Sequence, residues 1–332
     1  MEVLQEISMA ADAAAYFPPA SGRYEMKAGL APLSTNLGNG EQDGQIFQLD
    51  SGFGEYRRVK ELARAEKLGK YYQVRDCDPE LMATVARFIA GRLVEEHPEK
   101  FSLEEGDGEM TLRCGPSGEV LRFDSAMRRV HGEVGAPLYA DPLDALAMQV
   151  QEDLSVVCRV DDKDWVCAIH LCCPHTWTAE GKIGMDFVTM HAHVPGMNRI
   201  RRSGMVNVMV EAQGLARFVW SLSTDRRLNH HPEVPPGVDV DSWQEKHFDP
   251  ADPRLFLRVE REVLWGFPEH DAALFALRTS FRDCEEIRRE AELCEPLCAA
   301  IESMNPEMLA FKGLAESRDD ILSWLKAGLG DG

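Results

Sequence analysis

The sequence predicts an α+β protein, on three observations. A capped helical repeat follows Asp78-Pro79, short apolar runs joined by turns fill the middle, and residues 281–332 are again helical. Residues 1–50 mix Pro, Gly and Ala (FPPASG, LSTNLGNGEQDGQ) and read as an irregular segment wrapping the surface. IFQLD gives a short strand signal, and a charged helix opens near Glu55 after a Gly-containing turn. Leu81, Val85, Phe88, Ile89 and Leu93 recur at helical spacing up to His97-Pro98, with Asp78 as cap and Pro79 at the first helical position. Residues 104–135 alternate in short pieces (MTLRC, EVLRFD), as one or two β-hairpins do. Asp141-Pro142 opens a further helix over LDALAMQVQEDL.

Next come SVVCRV (155–160) and WVCAIHLCC (165–173), two strands flanking a turn at residues 161–164. Further strands are expected at MDFVTMHA (185–192), MVNVMVEA (205–212) and ARFVWSLS (216–223), making the middle a mostly antiparallel sheet. On the last of these, Arg217, Val219 and Ser221 share one face and Phe218, Trp220 and Leu222 the other. His230-His231-Pro232 begins a Pro-rich loop long enough to carry function. Leu255, Phe256, Val259 and Val263 fit one face of a helix over residues 255–267, with Arg258 and Glu262 as an i,i+4 pair. A final strand, DAALFALRTS, precedes C-terminal helices interrupted near Pro296. A single domain is expected: a wrapping segment (1–50), a core (140–280) and C-terminal helices (281–332).

Composition narrows the class. The chain is 44% apolar and 28% charged, with no run approaching the about 18 apolar residues of a membrane helix, so a soluble protein is expected. The N-terminus lacks the basic start and apolar core of a secretory signal, which points to the cytoplasm. Nine cysteines without framework spacing fit reduced, buried thiols. A formal net charge of −20 argues against nucleic acid and favours steering of a cationic ligand.

Several chemistries fail on spacing. His170, Cys172 and His175 lack the second pair of ligands that completes a zinc tetrahedron, because strand alternation puts Cys167 and Cys173 on the other face. Each cysteine is read as lying in an apolar run that keeps its thiol protonated and inert. GFGEY, GDGE and LGNG lack the strand–glycine–helix context of a phosphate cradle. His191 and His193 stand out: they alternate at the end of an apolar run, just before Val194-Pro195-Gly196. Arg199, Arg201, Arg202 and Arg217 supply guanidinium groups, while Met190, Met197, Met205, Phe218 and Trp220 supply apolar walls. An imidazole, an apolar slot and guanidinium clamps are what haem requires, for iron and for propionates.

The motifs PLDALAMQVQEDL, CCPHTWTAEGKIGMDFVTMHAHVPG, RFVWSLSTDRRLNHHPE, LRVEREVLWGFPEHDAALFALRTS and FKGLAESRDDILSWL, in that order, resemble the haem-dependent oxidative N-demethylase family. The resemblance spans nearly the whole chain and implies a PAS-like antiparallel core with flanking helices and long N- and C-terminal elaborations. It further implies haem b, dioxygen, electrons from a separate flavin and iron–sulfur reductase chain, and oxidation of a small cationic methylated amine to amine and formaldehyde. His191 matches the histidine of the family's Ile-His-x-Pro-Val-Pro-Gly motif and is thereby the implied axial iron ligand. His193 stands where the family has proline, and Met190 where it has isoleucine. The resemblance assigns Arg217 and Arg201 to propionates and Trp220 to the cofactor pocket. Glu152, His193, His230 and His231 are candidates for the pocket or for proton delivery. Glu262 replaces a usual glutamine. A non-catalytic haem sensor and a haem enzyme for a larger substrate stand beside this reading, since one fold serves many functions.

Overall fold

The computed structural model describes residues 2–24, 29–132, 138–161, 163–196 and 202–330. The N-terminal stretch carries 3-10 turns and a two-residue strand, β1 (Ala31–Pro32). Residues 46–50 are not a strand: side chains take up their backbone donors. Glu96 accepts from the Ile46 and Phe47 N–H groups (2.8 and 3.0 Å), Glu152 from Gln48 (2.9 Å) and Gln151 from Asp50 (2.9 Å). Then follow α1 (Phe53–Tyr71), β2 (Tyr72–Val74) and α2 (Pro79–Glu96). Asp78 caps α2 by accepting from the Glu80 N–H, and Pro79 has no donor to leave unpaired. Leu81, Val85, Ile89 and Leu93 are all buried, as their spacing predicts.

Strands β3 (Phe101–Gly106), β4 (Glu109–Cys114), β5 (Glu119–Asp124) and β6 (Val130–Gly132) form an antiparallel sheet in that order. Its inward Leu112, Leu121 and Phe123 share a core with α2. Helix α3 (Pro142–Ala147) is shorter than predicted. The Gln151 and Glu152 side chains are committed to residues 46–50, and Asp153 already starts β7 (Asp153–Val160), which makes the predicted hairpin with β8 (Lys163–His170).

Between β8 and the next strand lie α4 (Ala179–Lys182), α5 (Phe187–Met190) and α6 (Arg202–Glu211), where two strands are predicted. Asp186 accepts from the Val188 and Thr189 N–H groups, so the chain turns into α5 instead of extending. In α6, Val206, Met209 and Val210 are buried while Val208 is exposed, a helical repeat that the β-branched residues disguise. β9 (Gln213–Ser223), α7 (Val240–Trp243), β10 (Phe256–Phe267) and β11 (Ala272–Asp283) follow, then α8 (Cys284–Ile287), α9 (Ala291–Glu302), α10 (Pro306–Phe311) and α11 (Arg318–Ala327). Pro296 lies inside α9 and does not interrupt it.

The larger correction is β10, predicted as a helix. It is a strand near the middle of a seven-stranded antiparallel sheet, β1-β9-β10-β11-β7-β8-β2, paired along its length with β9 and β11. Buried Arg261 falls on the same face as Leu257, Val259 and Val263, so the apolar–polar alternation is broken and the pattern also fits a helix. Register puts Glu262 opposite Arg217 and Leu277, and Glu260 opposite Val219 and Thr279, all on one face. On the opposite face Ala216, Val263 and Ala276 join the α2 core, and Trp220, Leu222, Leu257 and Val259 pack against α9 and α11. The α4–α6 segment covers part of the first face, where Met209, Ala212 and Ala179 meet Leu264, Ala273 and Ile169.

Candidate functional site

The site begins with two short capped helices. Thr178 Oγ1 accepts from the Gly181 N–H at the start of α4, and Asp164 accepts from the Phe187 N–H (2.7 Å) at the start of α5. His191 is the residue at which α5 ends, not a strand position, and its Nδ1 lies 2.8 Å from the Phe187 carbonyl oxygen. A carbonyl only accepts, so Nδ1 carries the proton and Nε2 keeps its lone pair. Burial lowers the ring's pKa to about 4, the Arg217 and Lys182 charges adding to it against the pull of the Phe187 carbonyl. The imidazole is therefore neutral at pH 7. Phe187 packs on it at 4.4 Å between ring centres and Trp177 stands edge-on at 6.0 Å. His193 is exposed, 6.1 Å from Trp177 and 5.8 Å from Phe311.

The β9–β10 face supplies charge. Arg217 is ion-paired with Glu262, and Arg258 Nε lies 3.2 Å from Glu260 Oε1. Lys312, just past α10, donates to the Trp220 carbonyl (2.8 Å) and lies over the Tyr24 ring. The two glutamates diverge. Burial raises Glu262 in spite of Arg217, whereas the charges of Arg258, His175 and Lys312 overcome burial and lower Glu260. Neighbouring carboxyls pushed apart can divide between proton-holding and charge-holding roles.

A second histidine pair closes one end. The backbone donors of His230 and Thr176 pair with the Pro174 and His230 carbonyls (2.9 and 3.3 Å), bringing the His175 and His230 rings to 5.7 Å. His230 Nε2 is 2.9 Å from Asp225 Oδ1, and His175 Nε2 is 3.6 Å from Glu245 Oε2. His175 thus joins His230 and Glu245, not His170 and Cys172. A separate buried donor set, Asp153, His170 and Cys172, lies within 4.8 Å. The Lys60 ammonium supplies the positive charge beside it, donating to the Ala147, Val150 and Glu152 carbonyls.

The predicted residues therefore separate. His191 and Arg217 come together, with Glu262. His193 borders the same aromatic cluster, and His230 reaches it only through His175 and Glu260. His231 packs on Tyr71 (5.4 Å) and its carbonyl accepts from Trp243 Nε1 (2.7 Å), fastening the long loop near α1. Glu152 is engaged with Gln48 and feels the Arg278 charge; Arg278, opposite Arg261, is on the sheet face away from Glu262. Trp220 likewise points away from Arg217 and offers its carbonyl to Lys312. Arg201 lies outside the described residues. The predicted Arg258–Glu262 helical pair does not form: Arg258 pairs with Glu260 and Glu262 with Arg217. Glu260, Lys312, Tyr24 and Trp177 were missed, and His175 was considered only beside His170 and Cys172. Reading Arg258-Val259-Glu260-Arg261-Glu262 with a period of two gathers the acids on one face.

Fold and site define an α+β protein with a histidine-bearing aromatic wall beside a charged sheet face. The family described as haem-dependent oxidative N-demethylase, alpha subunit-like, matches residues 39–322, and the chain belongs to it. The description makes the family haem-dependent and oxidative, and "alpha subunit" implies a multi-subunit system. No helix among the described residues is long and apolar enough to cross a membrane.

Proposed function

We propose that this chain is the haem-binding subunit of a monooxygenase that demethylates a small methylated amine, dimethylamine-like, to amine and formaldehyde. Dioxygen is the oxidant, and electrons come from a separate flavin and iron–sulfur reductase chain. The observation that carries the proposal is His191: a neutral imidazole whose Nδ1 is occupied by a main-chain carbonyl, leaving Nε2 for a metal. The surroundings fit the group, with aromatic walls in Trp177 and Phe187 and a guanidinium in Arg217. Haem b, when bound, supplies the iron chemistry by which dioxygen oxidises an N-methyl carbon.

The chain's own residues hold and protect. The Phe187 carbonyl fixes the His191 tautomer, and Trp177 and Phe187 exclude water from its ring. Arg217, with Arg201, serves the propionates. Glu260, ionised, attracts the ammonium form of the substrate, and His230, hydrogen-bonded to Asp225, carries a proton. His193 sits at the outer side of the aromatic wall. The seven-stranded sheet with its α4–α6 cover is the PAS-like core of this reading. Reconstituted with haem, a chemical reductant and oxygen, the chain is expected to release formaldehyde in step with loss of a methylated amine. No formaldehyde across a broad panel of methylamines, with haem retained, contradicts the proposal.

A further inference from the structure

Cys77, Cys158 and Cys167 converge beside the register shift in the β7–β8 hairpin. Cys158 and Cys167 are buried on those strands, whereas Cys77 is partly exposed in the connection from β2 to α2. Its setting, Arg75-Asp76-Cys77-Asp78-Pro79, is not the apolar run expected of every cysteine. The connection is held from both sides. The Arg75 N–H donates to the Cys167 carbonyl (2.8 Å), Trp165 Nε1 donates to the Asp76 carbonyl (3.3 Å), and Asp78 caps α2. Asp76 takes a left-handed φ of 48°, turning the chain so that Cys77 faces β8. Cys77 Sγ then lies 3.2 Å from Cys167 Sγ. Hydrogen bonding with Cys158 and Cys167 draws the Cys77 thiol below its usual range.

We propose that Cys77 and Cys167 form a peroxide-sensitive modification site that closes to a disulfide, tying the β2–α2 connection to β8. Cys77 is the attacking sulfur, being the one peroxide can reach. Its thiolate displaces hydroxide from hydrogen peroxide: an S–O bond forms, the O–O bond breaks, and the hydroxide leaves as water with the proton the thiol gave up. The resulting sulfenic acid is attacked at Cys77 Sγ by the Cys167 sulfur. The S–S bond forms as the S–O bond breaks, and the second hydroxide leaves as water with the Cys167 proton. Two thiols thus lose two electrons and two protons, and one peroxide becomes two waters. The bridge would sit one residue from Val166, whose N–H and carbonyl pair with Met185 (3.0 Å) and Gly184 (2.8 Å) on the segment leading to His191.

The test exposes the purified, reduced full chain to hydrogen peroxide, alkylates it in denaturant and digests it without reductant for mass spectrometry. A Cys77–Cys167 peptide pair lighter by two hydrogens is expected to grow with peroxide and vanish on dithiothreitol, while the Cys114 and Cys284 peptides stay alkylated. Cys77→Ser removes the linked pair, and in Cys167→Ser the Cys77 sulfenic acid is trapped by dimedone. The wild-type experiment decides the matter even where a variant folds poorly. Cys77 found only as sulfinic acid, linked to Cys158 instead, or alkylated alongside Cys167 at every peroxide concentration overturns the proposal.

Discussion

Glu245 shows how closely the site's histidines and acids depend on one another. Burial alone raises its carboxyl, yet the His175 ring, the His230 charge and the Ser223 hydroxyl bring it from an ordinary 4.5 to about 2. A carboxyl lowered on folding stays ionised where the unfolded chain takes up a proton. Its contribution is therefore present above pH 4.5 and lost as pH falls toward 2. Glu245→Gln is expected to flatten the fall in urea midpoint over that window and to lower stability at neutral pH by about 1–2 kcal/mol, allowing for solvent screening. An unchanged pH profile contradicts the pairing with His175. At this scale His191 and Arg217 were legible in the sequence, because an imidazole before Val-Pro-Gly and an arginine in an aromatic strand are local signals. Lys312 was not: it reaches the Trp220 carbonyl from far along the chain, and no local pattern encodes that meeting.

Among elements, the two helices opened by Asp-Pro were readable, and the central strand β10 was not. Asp78-Pro79 and Asp141-Pro142 each announce a helix, through a side chain that accepts a backbone donor and a proline that lacks one. β10 carries Arg258, Glu260 and Glu262 on one face, but Arg261 stands among the apolar residues of the other, so the clean alternation that marks a strand is broken. Long-range contacts also shape its end. The Gly266 N–H donates to the Ala212 carbonyl (2.7 Å), and a Cβ at Gly266 would lie 1.9 Å from the Val210 carbonyl oxygen. Gly266→Ala must push the end of α6 off the sheet, and a loss of about 1–3 kcal/mol is expected, read as a lower thermal midpoint. A midpoint equal to that of the wild type contradicts the close approach of α6 to β10.

For the whole molecule, the α+β class followed from element order. The helical C-terminus and the antiparallel hairpin of β7 and β8 lie where the pattern put them, while the strands read at residues 185–192 and 205–212 became the helices that cover the sheet. That exchange changes the site: His191 is fixed by a helical turn onto its own i−4 carbonyl rather than by alternation along a strand. Membership of the family over residues 39–322 makes haem dependence the shared property, and His191 is the residue on which the proposed haem reading of this chain rests. The most direct measurement is the absorption spectrum of the haem-reconstituted chain, oxidised and then reduced under carbon monoxide, for wild type, His191→Ala and His193→Ala. The account predicts a Soret band in the wild type and in His193→Ala, and loss of haem or a changed spin state in His191→Ala alone. No Soret band in the wild type, or a spin-state change confined to His193→Ala, would contradict it.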